Sequence, residues 1–138
     1  MARVDFYLMN SDSERDCDIL ACRLTEKAYK QGYKIQVKTR DAQQSKRIDD
    51  LLWTFSQGSF VPHTVDPSQS ETPVFISHED GIRDSAILIN LTDKLPQTSP
   101  DNERVMEIVS NLPERRATAR TRYRDYREMG HDLHTHQV

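Results

Sequence analysis

Between Val4 and Phe55 the apolar residues switch back and forth between two periods, and this alternation restricts the fold more than any other feature of the chain. Val4, Phe6 and Leu8, with Tyr7 and Met9 between them, make a short run that is apolar on both faces, as a covered strand requires. Ser11, Asp12 and Ser13 then offer helix caps, and Ser11-x-x-Glu14 fits a capping box. Cys17, Leu20, Ala21, Leu24 and Ala28 follow at helical spacing, and Gly32 is placed to end that helix. From Tyr33 to Lys38 the pattern alternates, with Ile35 and Val37 on one side of a strand. Asp41 can cap a second helix with Gln44 in the box position, and Ile48, Leu51, Leu52 and Phe55 supply its buried face. Strand, helix, strand, helix in this order predicts a three-layer α/β/α sandwich on a mainly parallel sheet.

The remainder continues the theme. After a polar loop from Thr64 to Thr72, Pro73 introduces the short strand VFI, and Ala86 to Leu91 (AILINL) reads as a buried strand. Arg104 to Val109 (RVMEIV) suits either a short helix or a strand buried on both faces. A strand is favoured because a final helix must come at once after it. Asn111 is that helix's candidate cap, Pro113 sits in its first turn, and Gly130 closes it after Met129. Ala119 and Tyr126 are expected to pack on the sheet. The 138 residues thus divide into one domain over residues 1–130 and a flexible tail over 131–138.

Composition removes several function classes. A formal net charge of -3 argues against a nucleic-acid coat, so any anion binding must be local. No apolar run approaches the roughly 18 residues of a membrane span, and MARVDFYLMN lacks the apolar core of a signal peptide. Cys17 and Cys22 suit neither a C-x-x-C redox motif nor a zinc knuckle and read as buried thiols in a reduced cytoplasm. The first strand-to-helix turn, LMNSDSER, has no glycine, whereas dinucleotide and phosphate loops need glycines so that backbone can approach phosphate. His131, His134 and His136 crowd the tail without a convincing ligand set, and His63 and His78 stay unassigned. No catalytic residue, cofactor site or metal site is expected.

Two stretches carry functional signal. Arg115 to Arg127, RRATARTRYRDYR, holds six arginines and one aspartate. Wound as a helix, Arg116, Arg120, Tyr123, Arg124 and Arg127 fall on one face. Opposite charges at i,i+4 are nearly absent, so an anionic partner makes better sense of the stripe than a solvated face does. The guanidinium fork suits carboxylate or phosphate, and Tyr123 adds a stacking surface. The second stretch is Leu51 to His63, LLWTFSQGSFVPH. Trp53, Phe60, Val61 and Pro62 there form either a plug for the core or an exposed partner-binding patch.

With both stretches in view, the chain resembles the chi-subunit family of bacterial DNA polymerase III holoenzyme. VDFYLM, DDLLW followed by SFVPH, AILINL and ARTRYRDYREMG occur in order and at suitable spacing over nearly the whole length. The tryptophan segment and the AR-x-RYR-x-Y-R-x-x-G pattern are the specific parts. The resemblance implies a Rossmann-like fold without a phosphate-binding loop. It also implies a non-catalytic accessory role in the clamp-loader assembly during DNA replication, in the bacterial cytoplasm. By position, Arg116, Arg120, Tyr123 and Arg124 would receive the acidic carboxy-terminal tail of single-stranded DNA-binding protein. Trp53, Phe60, Val61 and Pro62 would face the psi subunit, or a helicase-like repair partner in some members. Arg116 departs from the family pattern, which usually has lysine there. On this view DNA is reached mostly indirectly and no membrane is involved. The alternative is a module that binds single-stranded nucleic acid directly through the arginine helix; an enzyme on a nucleotide-binding fold is the third hypothesis.

Overall fold

The computed structural model describes residues 2–58, 60–81 and 83–138. In chain order the elements are β1 (Arg3–Leu8), α1 (Glu14–Lys30), β2 (Ile35–Lys38), α2 (Ala42–Thr54), β3 (His63–Thr64), β4 (Val74–Ser77), β5 (Ile87–Asn90), β6 (Arg104–Val109), α3 (Pro113–Glu128) and β7 (Asp132–Gln137). They form a seven-stranded sheet in the order β3-β4-β2-β5-β6-β1-β7. Each pairing is parallel. This is the Rossmann-like α/β sandwich expected, and RVMEIV is the strand β6 rather than a helix.

Alternation along the strands sends apolar side chains to both faces. Ile35, Val37, Val74, Ile76, Ile87, Ile89, Met106 and Ile108 meet Cys17, Ala21, Ala28, Ile48 and Leu52 of α1 and α2 in one core. Val4, Phe6, Leu88, Val105 and Val109 meet Ala119 and Tyr126 of α3 in the other. Burial pushes the Cys17 thiol up to about 11 and the Cys22 thiol up to about 12, so both are inert apolar filler. The α3 layer carries one helix, and a loop closes the sheet beyond it. There Gln36 accepts from the Arg83 backbone N–H at 3.2 Å, and the Arg83 guanidinium lies 5.0 Å over the Phe75 ring.

Helix ends differ in detail from the expectation. Ser13, not Ser11, is the N-cap of α1, accepting from the Asp16 N–H, while Ser11 accepts from Ser13 and donates to Asp16. Asp41 caps α2 as expected, but the Gln44 amide oxygen reaches one residue further back, to the Arg40 N–H. At α3 the cap position is Leu112, whose side chain has no acceptor to offer, and Pro113 in the first turn removes one of the unpaired N–H groups; Asn111 instead donates its backbone N–H to Ser11 O. Gly130 adopts φ +85, a left-handed conformation that lets α3 turn straight back into the sheet.

The segment beyond Gly130 is not the flexible tail expected. Asp132–Gln137 form β7, paired with β1 in parallel from Arg3↔Asp132 to Leu8↔Gln137. The polar sequence DLHTHQ concealed a strand because only Leu133 packs against an apolar core, while the backbone ladder with β1 carries the rest. His131 Nδ1 accepts from the Ala2 N–H at 3.0 Å, His136 stacks on Tyr7 with ring centroids 4.9 Å apart, and His136 Nε2 lies 2.7 Å from Asp5 Oδ1.

Asp5 is fully buried and also accepts from Arg3 and from Arg104 at 2.6 Å. Burial alone would raise its pKa, but the hydrogen bonds from His136, Arg3 and Arg104 outweigh burial and hold the carboxyl below its ordinary value. A carboxylate depressed in the folded state adds stability above its unfolded pKa, and that stability fades as pH falls through the folded value. Urea melts should therefore show stability falling below about pH 4 in the wild type. Asp5→Asn should be less stable at neutral pH and show a flatter acid limb; an identical acid limb would exclude Asp5 as its source.

Candidate functional site

The arginines of α3 divide by what lies beneath them. Arg122 points into the protein beside Ala119 and Tyr126, donating to Glu107 Oε1 at 3.1 Å and to Thr118 at 3.3 Å. Glu107, fully buried on β6, also accepts from Asn90 and from the Tyr126 hydroxyl at 2.7 Å. Burial pushes the Glu107 carboxyl up, with Arg122, Asn90 and Tyr126 pulling against it. Arg115 pairs with Asp93. Half-buried Arg116 donates through Nε to Ser110 O at 3.0 Å and through Nη2 to Met9 O at 2.7 Å, tying α3 to the carboxyl ends of β6 and β1.

Arg120, Arg124 and Arg127 lie on the outer side of α3, and all three are exposed. Among the described residues none of them forms an internal ion pair. Beside them lies a mostly apolar groove of about 260 Å³ lined by Phe6, Leu8, Arg116, Ala119, Arg120, Tyr123 and Thr135. Tyr123 is set against Phe6 with centroids 5.4 Å apart. The groove is smaller than the roughly 300–1,000 Å³ of a drug- or cofactor-sized pocket and suits a side chain better. The structure therefore brings Arg116, Arg120 and Tyr123 to one groove and leaves Arg124 outside its lining, one turn further along the helix. The groove's walls on β1 and β7 went unseen in the sequence. Phe6 and Leu8 looked like ordinary core, and Thr135 lay in the presumed tail.

The second stretch splits. Trp53 and Phe60 are 54% and 62% exposed, with rings 5.5 Å apart. His63 lies against Trp53 at 4.7 Å, its ring nitrogens 2.6 Å from Val61 O and 3.0 Å from Asp49 O. Pro62 is half-buried. Val61 is 1% exposed and belongs to the core under α2, so its assignment to a partner-facing surface is corrected. Val61 is the plug, and the exposed rings of Trp53 and Phe60 form the patch.

Elsewhere the sheet offers what a nucleotide site would use, filled with the wrong charge. In open α/β sheets ligands enter at the carboxyl ends of the strands. Here that crevice, about 290 Å³, is lined by Asp12, Glu14 and Asp93 as well as Arg40 and Arg115. Glu14 pairs with Arg40 and Asp93 with Arg115, so carboxylates stand where phosphate would have to sit. Among the described residues no group of three His, Cys, Asp or Glu could hold a metal ion, and no helix is long and apolar enough to cross a membrane.

Fold and surfaces together define a Rossmann-like α/β domain with no glycine phosphate loop, a cationic groove on its last helix and an aromatic patch at the far end. The chain belongs to the DNA polymerase III chi subunit family: residues 1–134 match the family described as DNA polymerase III chi subunit, HolC. It is 36% identical over 145 residues to the DNA polymerase III subunit chi of Pseudomonas aeruginosa, covering 100% of this chain and 98% of that one. The subunit chi of Escherichia coli is 27% identical over 143 residues, covering 98% of this chain and 97% of the relative. That of Haemophilus influenzae is also 27% identical, covering 96% and 95%. Among solved structures, the crystal structure of T4 UvsW superposes with a TM-score of 0.68 at 9% identity, over 99% of this chain and 41% of that one, a likeness of fold.

Proposed function

We propose that this chain is a non-catalytic accessory subunit of the polymerase III clamp-loader assembly that links it to the acidic carboxy-terminal tail of single-stranded DNA-binding protein. Family membership supplies the replication context. The observation that carries the finer reading is the row of outward arginines, without acid partners among the described residues, set beside an apolar groove closed by Tyr123. A peptide's terminal carboxylate and acidic side chains would meet guanidinium groups, and a terminal phenylalanine would enter the groove. Arg116 spends two donors on Met9 O and Ser110 O, so it fixes the helix and offers only its remaining N–H groups to the peptide. The role is cytoplasmic, and DNA is reached through the coated strand.

The test is a fluorescence titration with an acidic, phenylalanine-ending peptide beside bare single-stranded DNA. Tighter binding to the peptide supports the linker role; tighter binding to bare DNA would make the arginine helix a direct nucleic-acid site.

Trp53 and Phe60 suit the psi subunit, or a helicase-like partner in its place, through a mainly apolar contact. Trp53→Ala should weaken psi binding by about 2 kcal/mol or more, the loss typical of a central aromatic anchor. Peptide binding should be spared, because the groove lies on α3 at the opposite side of the sheet order. Simultaneous loss of both in calorimetric titrations would point to misfolding instead.

A further inference from the structure

β7 is an edge strand, and its free edge runs beside the arginine groove. The Asp132 N–H donates to Ala2 O at 3.0 Å and the Val138 N–H to Leu8 O at 2.9 Å, so the even-numbered residues of β7 pair with β1. Backbone groups alternate sides along a strand, which turns the N–H and C=O of Leu133, Thr135 and Gln137 to the open edge. Among the described residues no strand covers that edge. Edge strands are ordinarily protected by lysine, proline, a bulge or a covering loop. DLHTHQ has neither lysine nor proline, and its pairing with β1 runs unbroken over six residues.

We infer that the free edge of β7 takes the extended acidic peptide as an eighth strand, while the peptide's end residue fills the groove lined by Thr135, Phe6, Leu8 and Tyr123. This rests on the groove being the peptide's site. The occupant is set by charge and spacing. Arg116, Arg120 and Arg124 recur every four residues on α3, a rise of about 6 Å. Same-face residues of an extended strand recur about every 6.5 Å. An eighth strand would thus present one acidic side chain per guanidinium on the α3 side, at alternate positions. Main-chain bonds to Leu133, Thr135 and Gln137 supply sequence-independent affinity, and the arginines select for acid.

The experiment is amide hydrogen exchange followed by NMR on the full chain. The probe is a synthetic peptide of about ten residues, long enough to run the length of β7, with aspartates at alternate positions and a terminal phenylalanine. The amides of Leu133, Thr135 and Gln137 should exchange rapidly in the free protein and slow by about ten-fold or more at saturating peptide. Those of Asp132, His134 and His136, already bonded to β1, should change little. Backbone N-methylation of the peptide should weaken binding at alternate positions only. If the peptide binds in an Arg120-dependent manner while the odd-numbered amides stay fast, the strand inference fails and the groove reading stands. If the peptide does not bind, both fail. If those amides slow with protein concentration alone, the edge pairs with a second copy of the chain and the inference is overturned.

Discussion

Arg120→Ala is expected to weaken the acidic peptide about 10- to 150-fold, the equivalent of roughly 1.5–3 kcal/mol for a hydrogen-bonding charged group, and to leave thermal unfolding unchanged. The separation of effects is what makes this substitution informative. Arg120 is exposed, lines the groove beside Tyr123 and, among the described residues, makes no internal ion pair, so its removal leaves no buried partner unsatisfied. Arg116→Ala differs in kind: it frees Met9 O and Ser110 O and should lower stability as well as affinity. Arg120→Lys keeps the charge but not the planar fork, and should recover only part of the loss. Added salt should weaken the wild type more steeply than Arg120→Ala, because exposed charges are screened within about 10 Å at 0.1 M. Calorimetry with wild type and variants at two salt concentrations measures all of this. Unchanged affinity in Arg120→Ala would remove the groove from consideration as the peptide site.

The parts of this fold that a reader of the sequence could see are those where pattern and burial coincide. α1 and α2 announce themselves through Cys17, Ala21 and Ala28 and through Ile48 and Leu52, because each buries a stripe against one sheet face. β7 was invisible for the opposite reason. It buries little, and its register is held by ladder hydrogen bonds and by His136 on Asp5 and Tyr7, none of which leaves an apolar period. Arg115 and Arg122 fall off the stripe made by Arg116, Arg120, Tyr123, Arg124 and Arg127, and internal carboxylates take both. A clue was present: Glu107 stands alone in the otherwise apolar strand VMEIV, and a lone carboxylate there demands a buried cation. Asp93, which takes Arg115, lies in a loop and offered no such hint. In the tryptophan segment the choice between plug and patch has two answers, because Val61 turns inward while Phe60 turns out, and no apolar period in Phe60-Val61-Pro62 distinguishes them.

The largest stability effect should come from Arg122→Ala, with a loss of about 3–5 kcal/mol and a fall in Tm on the order of 10–20 °C. Removing the guanidinium leaves Glu107 fully buried with a charge, held only by Asn90 and the Tyr126 hydroxyl. Replacing the carboxylate too, in Arg122→Leu with Glu107→Leu, should recover part of the loss, since a buried pair exchanged for apolar groups is often close to neutral. Recovery stays incomplete because Asn90 and Tyr126 then lose their shared acceptor. These residues anchor the inward face of α3, whose outward face carries Arg120 and Arg124, so the buried network holds the binding row at its height above β1. In Arg122→Ala, peptide affinity per folded molecule should therefore fall along with stability, whereas Arg120→Ala loses affinity alone. Urea melts paired with peptide titrations separate the two. An Arg122→Ala protein within about 1 kcal/mol of wild type would mean that Glu107 had taken up a proton and done without its partner.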